Sequence, residues 1–262
     1  MDKTLSIVAV ISAGGVPSED DPLFAYTQGQ PKALLPIAGR PMIAHVADAL
    51  AHTPGVEHIV VIALSEEEYT FSMPVEHVPD AGSLIANAEA GLRYAMEHYP
   101  DLDAVLLSSS DVPLITPEII TQFVQECLRT DHDLYYPIVE RSVMEARFPE
   151  SRRSYAHLKD GDFAGGDVFL VRPTLGASHT RLMDELAAAR KNVLRQARMV
   201  GMWTFIKLLT RQLTIEEGTQ RVSKVLGIRA RIIPVPWAEI GMDVDKPFQF
   251  EIVRREIEAR GG

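Results

Sequence analysis

Four places in the chain carry residue types suited to handling phosphate. An apolar run, Leu5 to Ile11, breaks directly into Ser12-Ala13-Gly14-Gly15. Paired glycines at the end of a buried strand let backbone N–H groups approach a phosphate or base closely, because no Cβ stands in the way. Lys32 follows in Gln30-Pro31-Lys32-Ala33-Leu34-Leu35-Pro36-Ile37-Ala38-Gly39-Arg40-Pro41-Met42-Ile43. Returned to the same rim, its ammonium can neutralise charge that develops on a phosphoryl group. Asp111 ends the apolar strand 104–107 through Ser108-Ser109-Ser110. There a carboxylate is placed to ligate a hard cation that also touches phosphate oxygens. Asp243 and Asp245, two apart in Gly241-Met242-Asp243-Val244-Asp245-Lys246-Pro247, point to one side of an extended segment and can share that cation. Asp243 is slightly favoured as the direct ligand, since Asp245 also suits the N-cap of a helix opened by Lys246-Pro247. Taken singly, Lys32 reads as a surface lysine and Asp111 as a turn residue. Their succession at strand ends, where open α/β sheets bind ligands, reads as a nucleotide site.

The elements that must position these residues alternate through the first half. Strands are expected at 5–11, 58–64 and 104–107, and helices at 42–51 (opened by Gly39-Arg40-Pro41), 83–98 and from Thr116-Pro117-Glu118 to about 129. This is the pattern of a parallel sheet covered on both faces. From Leu134 short strands at 134–140, 154–159 and 167–171 alternate with turns such as Lys159-Asp160-Gly161-Asp162. They predict a mixed or antiparallel extension that holds a second substrate. Residues 181–226 are helical in pattern with a break at Gly201, 229–235 is a late strand, and 247–260 is a closing helix capped by Asp245. The expected fold is α/β, Rossmann-like, with a mixed and mostly parallel sheet. A single domain spans 1–262, with a nucleotide-binding half at 1–133 and an acceptor-binding half at 134–262 that includes the helical insertion 181–226.

The composition, 46% hydrophobic and 24% charged over 262 residues, is that of a globular protein large enough to need no disulfide or structural metal. A net charge of −10 argues against a protein that coats nucleic acid. The lone Cys127 cannot form an intramolecular disulfide and reads as a small buried apolar residue. No stretch approaches the roughly 20 apolar residues of a membrane span, and the first apolar run lacks the form of a signal peptide, so a cytoplasmic protein is expected. The eight histidines show no metal-ligand spacing. Between Leu186 and Ile215 there is no acid, while Arg190, Lys191, Arg195, Arg198, Lys207 and Arg211 all occur. Segment 190–211 reads as a helical hairpin with solvated cations, a cover that receives an anionic substrate, a peripheral contact with anionic lipid, or a homodimer contact.

In order along the chain, Ala13-Gly14-Gly15, PKALLPIAGRPMI, SSSDVPLITPE and GMDVDKPFQFEIV resemble the landmarks of nucleotidyltransferases of the glycosyltransferase-A-like fold. The molybdenum-cofactor guanylyltransferase type is closest in style. The resemblance implies that Ala13, Gly14 and Gly15 line a nucleotide and that Lys32 contacts its phosphates. It further implies that Asp111 with Asp243 or Asp245 holds Mg²⁺, and that Gly82-Ser83 touches the base. Ser83 reads equally well as a plain N-cap. The implied reaction moves a nucleoside monophosphate from an NTP to a phosphorylated acceptor and releases pyrophosphate. Molybdopterin, a sugar phosphate, a polyol phosphate and a lipid phosphate all fit as acceptor. Many members follow the glycines with Gly-x-x-Arg, whereas this chain has Val16-Pro17-Ser18-Glu19-Asp20-Asp21-Pro22. Those three acids favour the main alternative, a nucleotide-binding regulatory protein without turnover. A glycosyltransferase, suggested by Asp243-Val244-Asp245, is the lesser one, since that motif usually lies mid-chain.

Overall fold

The computed structural model of the chain describes residues 5–175 and 202–261. Its centre is the strand β1 (Ile7–Ser12), whose side chains are buried on both faces. Ile7, Ala9 and Ile11 join one apolar cluster, while Val8 and Val10 join the other. That alternation explains why the strand is written as an unbroken apolar run. β4 (Val56–Ile62) and β6 (Ala104–Ser109) flank β1 in parallel, and β5 (Glu76–Val78) extends the sheet beyond β4. Between β1 and β4 lie a short helix α1 (Phe24–Thr27), a hairpin of β2 (Pro36–Ile37) with β3 (Arg40–Pro41), and α2 (Met42–Ala51). α2 and α4 (Pro117–Leu128) cover one face of the sheet through Met42, Val46, Leu50, Ile120, Phe123 and Cys127. α3 (Leu84–His98) covers the other with Leu92 and Ala95.

The second half continues the same sheet. Its strands are β7 (Leu134–Glu140), β8 (Ala156–Leu158), β9 (Gly161–Gly165), β10 (Val168–Val171) and β11 (Ala230–Val235). The order is β5-β4-β1-β6-β10-β7-β9-β8, with β11 paired in parallel along the other side of β7. β10 runs antiparallel to both β6 and β7, so the sheet is mixed and largely parallel around β1, as expected. α5 (Arg141–Arg147) follows β7, α6 (Met202–Leu209) and α7 (Ile215–Leu226) precede β11, and α8 (Pro247–Ala259) closes the chain on the α2 side.

Several local expectations are corrected. Of Gly39-Arg40-Pro41, only Pro41 opens α2, as its N-cap residue without a side-chain bond, while Arg40-Pro41 also forms β3. Ala38 and Gly39 take positive φ (48° and 79°) as the turn of the β2–β3 hairpin, which is the geometry that favours a two-residue loop. α8 is capped at Lys246 without a side-chain bond, not by Asp245, whose backbone N–H donates to Gln249 Oε1. Gly161-Asp162 begins β9 and is not merely a turn, and α5 was not foreseen. Of the helical insertion, residues 181–201 lie outside the described residues, as do Arg190, Lys191, Arg195 and Arg198. The rest is two helices separated at 210–214, where Thr214 and Glu217 form a reciprocal capping box. Lys207 pairs with Glu217 at 2.5 Å, so that cation faces an acid of the next helix. Among the described residues no helix is long and apolar enough to cross a membrane.

Candidate functional site

The site assembles where strands of both halves end at one edge of the sheet. β1 and β6 are parallel neighbours, with Ser12 opposite Ser109, and Ser110 N–H donates to Ser12 C=O. The loops after them therefore start side by side. Asp111 closes the second of these loops, and Ser109 Oγ donates to its Oδ1 at 2.5 Å. Val244 N–H donates to the Asp111 carbonyl at 3.0 Å and locks the chain before α8 against that loop. With Val244 fully buried, its two neighbours Asp243 and Asp245 are presented together on the other side. Asp111, Asp243 and Asp245 each offer a carboxylate oxygen, and these oxygens lie within 4.8 Å of one another. Three hard oxygen donors at this spacing suit a divalent cation of the Mg²⁺ class.

Lys32 reaches this cluster from the first loop. Its backbone N–H donates to Gly15 C=O at 2.9 Å, and the short turn Lys32–Leu34 is pinned by buried Ala33 and Leu35. Its ammonium lies 2.6 Å from Asp111 Oδ2 and 2.7 Å from Asp245 Oδ1. Burial pulls the Lys32 pKa down, but Asp111 and then Asp245 outweigh it and leave the ammonium's pKa raised. Burial likewise opposes ionisation of Asp245, and the Lys32 ammonium overrides it, leaving the carboxyl below its usual range. Two carboxylates at the outer limit of this spacing, 4.8 Å, repel by roughly 3 kcal/mol at an effective dielectric of about 20, and the Lys32 ammonium offsets that repulsion between Asp111 and Asp245.

Two residues of the site went unforeseen. Arg153 pairs through its guanidinium with Asp243, both side chains being nearly buried. Asp167 immediately precedes β10, and there its carbonyl accepts from Ser109 N–H and its N–H donates to Ile240 C=O. Burial, then the Asp111 charge, pushes the Asp167 carboxyl up to about 7, against the pull of Arg153. The available signals were an acid following Gly165-Gly166 and an arginine pair at 152–153. The site thus holds four acids and two basic side chains, an excess of negative charge that a metal ion would relieve.

The glycine rim divides. Ala13 is buried and its N–H donates to Ile62 C=O, so it anchors the loop. A Cβ on Gly14 would stand 2.9 Å from Asn87 Nδ2 and 3.0 Å from Ala63 Cβ, whereas one on Gly15 would meet nothing within 4 Å. Gly14 is therefore a packing glycine, and Gly15 is the one bordering open space. Asn87 also donates to Asp80 Oδ1 and accepts from Ala81 N–H, which ties the 80–83 turn to the rim. Within that turn Gly82 takes φ +88° and its N–H donates to Asp80 Oδ1. Ser83 is the N-cap of α3, its Oγ accepting from Ala86 N–H. Of the three loop acids, Glu19 and Asp20 are exposed, while Asp21 accepts from Leu23 N–H and orders the turn before α1. Tyr26 then packs on Phe250 of α8 with ring centroids 5.1 Å apart.

Residues 9–207 match the profile of the MobA-like NTP transferase domain. A solved structure of a hypothetical transferase from Thermus thermophilus is 33% identical, with a TM-score of 0.80 over 94% of this chain and all of that one. The 2-C-methyl-D-erythritol 4-phosphate cytidylyltransferase of Thermus thermophilus shares the fold, with a TM-score of 0.55 and 14% identity over 98% of this chain and 100% of that one. Among curated relatives, the bifunctional protein GlmU of Halorhodospira halophila is 38% identical over 98 residues, 35% of this chain and 20% of its own. Ribitol-5-phosphate cytidylyltransferase of Streptococcus agalactiae is 30% identical over 132 residues, 47% of this chain and 53% of its own. The chain spans between a fifth and about half of the length of these curated relatives.

Proposed function

The chain belongs to the MobA-like NTP transferase domain family, and from that membership and the site geometry we propose that it is a nucleotidyltransferase. It transfers a nucleoside monophosphate from an NTP to a phosphorylated acceptor. An acceptor phosphate oxygen attacks the α-phosphorus, the bond between α-phosphorus and the bridging oxygen breaks, and pyrophosphate leaves with the electron pair. The observation that carries this reading is the Lys32 ammonium held between Asp111 and Asp245, beside the open Gly15 rim.

Asp111, Asp243 and Asp245 would hold Mg²⁺, which supplies Lewis-acid neutralisation of the phosphates when bound. Lys32, freed from its carboxylates, stabilises charge on the phosphates, and the backbone at Gly15 admits them. The chain's own work is positioning and charge neutralisation, with no covalent enzyme intermediate. The curated relatives named as cytidylyltransferases act, by their names, on ribitol 5-phosphate and 2-C-methylerythritol 4-phosphate, which supports a phosphorylated polyol or sugar as acceptor here. The test is pyrophosphate release with the four NTPs, Mg²⁺ and a panel of phosphorylated acceptors. Asp111→Ala is expected to lower turnover at least about a hundredfold with an unchanged circular dichroism spectrum. Full activity in that variant overturns the assignment. Tight NTP binding with no turnover under any condition would favour the regulatory alternative.

A further inference from the structure

Next to the carboxylate cluster, α5 and the chain leading into β8 line an open pocket of about 470 Å³. That lies within the range of roughly 300–1,000 Å³ typical of small-molecule sites. In a chain of net charge −10, its walls include Arg141, Arg152, Arg153, Tyr155 and His157, with Glu145 the acid among them. Arg141 is occupied by Glu145 at 2.7 Å and Asp162 at 3.5 Å, and His157 by Asp162 at 2.6 Å. Arg152 lies over the Phe248 ring and holds a strained backbone, φ +46°. A non-glycine residue persists in that region only where the surroundings enforce it. Arg153 belongs to both places: it lines the cavity and pairs with Asp243. Its buried Nε has no hydrogen-bond partner among the described residues, so the guanidinium retains donor capacity.

We propose that this cavity is the acceptor subsite, that it takes the phosphomonoester of a small polyhydroxylated molecule, and that Arg153 passes from Asp243 to the acceptor's phosphate when a divalent cation takes Asp243. The inference rests on the transferase reading and deepens it. A guanidinium matches a phosphate through paired N–H donors, and no other side chain of the cavity borders the cation cluster so directly. Tyr155, His157 and Glu145 offer hydroxyl partners. Pro149 is the one aliphatic wall among the described lining residues, which leaves little surface for an acyl chain. The exchange makes acceptor binding follow cation binding, because Arg153 is engaged until Asp243 is neutralised.

The experiment is calorimetric titration of the full chain with ribitol 5-phosphate, inorganic phosphate and neutral ribitol, with and without Mg²⁺. Mg²⁺ is expected to tighten both phosphate probes about tenfold, the worth of one charge-assisted pair. Asp243→Asn releases Arg153 without a metal, so it tightens them by a similar factor and abolishes the Mg²⁺ response. Arg152→Met, which leaves the Arg153–Asp243 pair in place, weakens them several-fold, and ribitol binds to none of the proteins. Unchanged or weaker phosphate binding in Asp243→Asn overturns the proposal, as does ribitol binding as well as its phosphate. Nucleotide binding read in the same proteins separates the two levels. Absence of NTP binding overturns the transferase reading itself. Normal NTP binding with phosphate affinity indifferent to both substitutions overturns only the subsite.

Discussion

Lys32 satisfies two carboxylates with one ammonium, and this makes its removal informative in two ways. Lys32→Met leaves Asp111 and Asp245 facing each other across a few ångströms. The variant is expected to lose at least about a hundredfold in kcat/KM if Lys32 contacts the phosphates as proposed. It should also melt below the wild-type protein in EDTA and show the larger rise in Tm on adding Mg²⁺, because the metal then does the neutralising that Lys32 did. Equal Mg²⁺ shifts in both proteins would contradict the placement of the ion. Asp167 gives a pH-dependent counterpart. Its folded pKa of about 7 lies above the ordinary carboxyl value of 3.8, so the folded chain binds a proton the unfolded chain lacks between those values. Stability contributed by that proton is present at low pH and is lost as pH rises towards 7. Asp167→Asn removes the loss, so in EDTA its Tm exceeds wild type at pH 8 by at least about 2–4 °C and the two converge near pH 4. A constant difference across that range would refute it.

At the scale of elements, Gly14 shows how the rim is built from α3 as much as from β1. A methyl at Gly14 must displace the Asn87 amide, which is fixed by Asp80 and Ala81. Gly14→Ala is expected to cost about 1–3 kcal/mol in urea unfolding. Combined with Asn87→Ala, the two should cost clearly less than their sum, since the second removes the group the first collides with. Additivity would mean the contact is not made. The sequence made the parallel strands legible, because a strand buried on both faces is an apolar run: β1, β4, β6 and β7 stand within about two residues of expectation. β9 escaped because its buried Phe163 and Ala164 are enclosed by Gly161-Asp162 and Gly165, which look like turn residues. α5 escaped because it is one cation-rich stretch with a single buried side chain, Met144. The site followed the same division. Lys32, Asp111, Asp243 and Asp245 sit at ends of legible elements. Arg153 lies in an irregular segment, and its role depends on a tertiary approach that no local pattern encodes. Asp245 was ambiguous for a related reason, since only the structure shows Lys246 at the N-cap and the Asp245 carboxylate on Lys32.

At the scale of the molecule, the expected division into a nucleotide-binding half at 1–133 and an acceptor-binding half at 134–262 does not coincide with any division of the sheet. β10 is inserted between β6 and β7, pairing Val168–Val171 with Ser108–Val105, so the second half supplies the neighbour of the strand that leads into the Asp111 loop. Asp111 is then held by Val244 and surrounded by Arg153, Asp167 and Asp243, all from beyond residue 133. A fragment of residues 1–133 would expose the β6 edge and the fully buried Val105 and Leu106 to water or to another chain. It would also leave Asp111 without its carbonyl partner and Lys32 with half of its anions. The fragment alone is therefore expected to associate, to give a poorly dispersed NMR spectrum, and to bind Mg²⁺ and NTP at least about tenfold more weakly than the whole chain. Co-expression with residues 134–262 should restore both dispersion and binding. A monomeric fragment with a dispersed spectrum and full nucleotide affinity would show that the first half makes the site unaided, and that the carboxylates and Arg153 of the second half serve the acceptor alone.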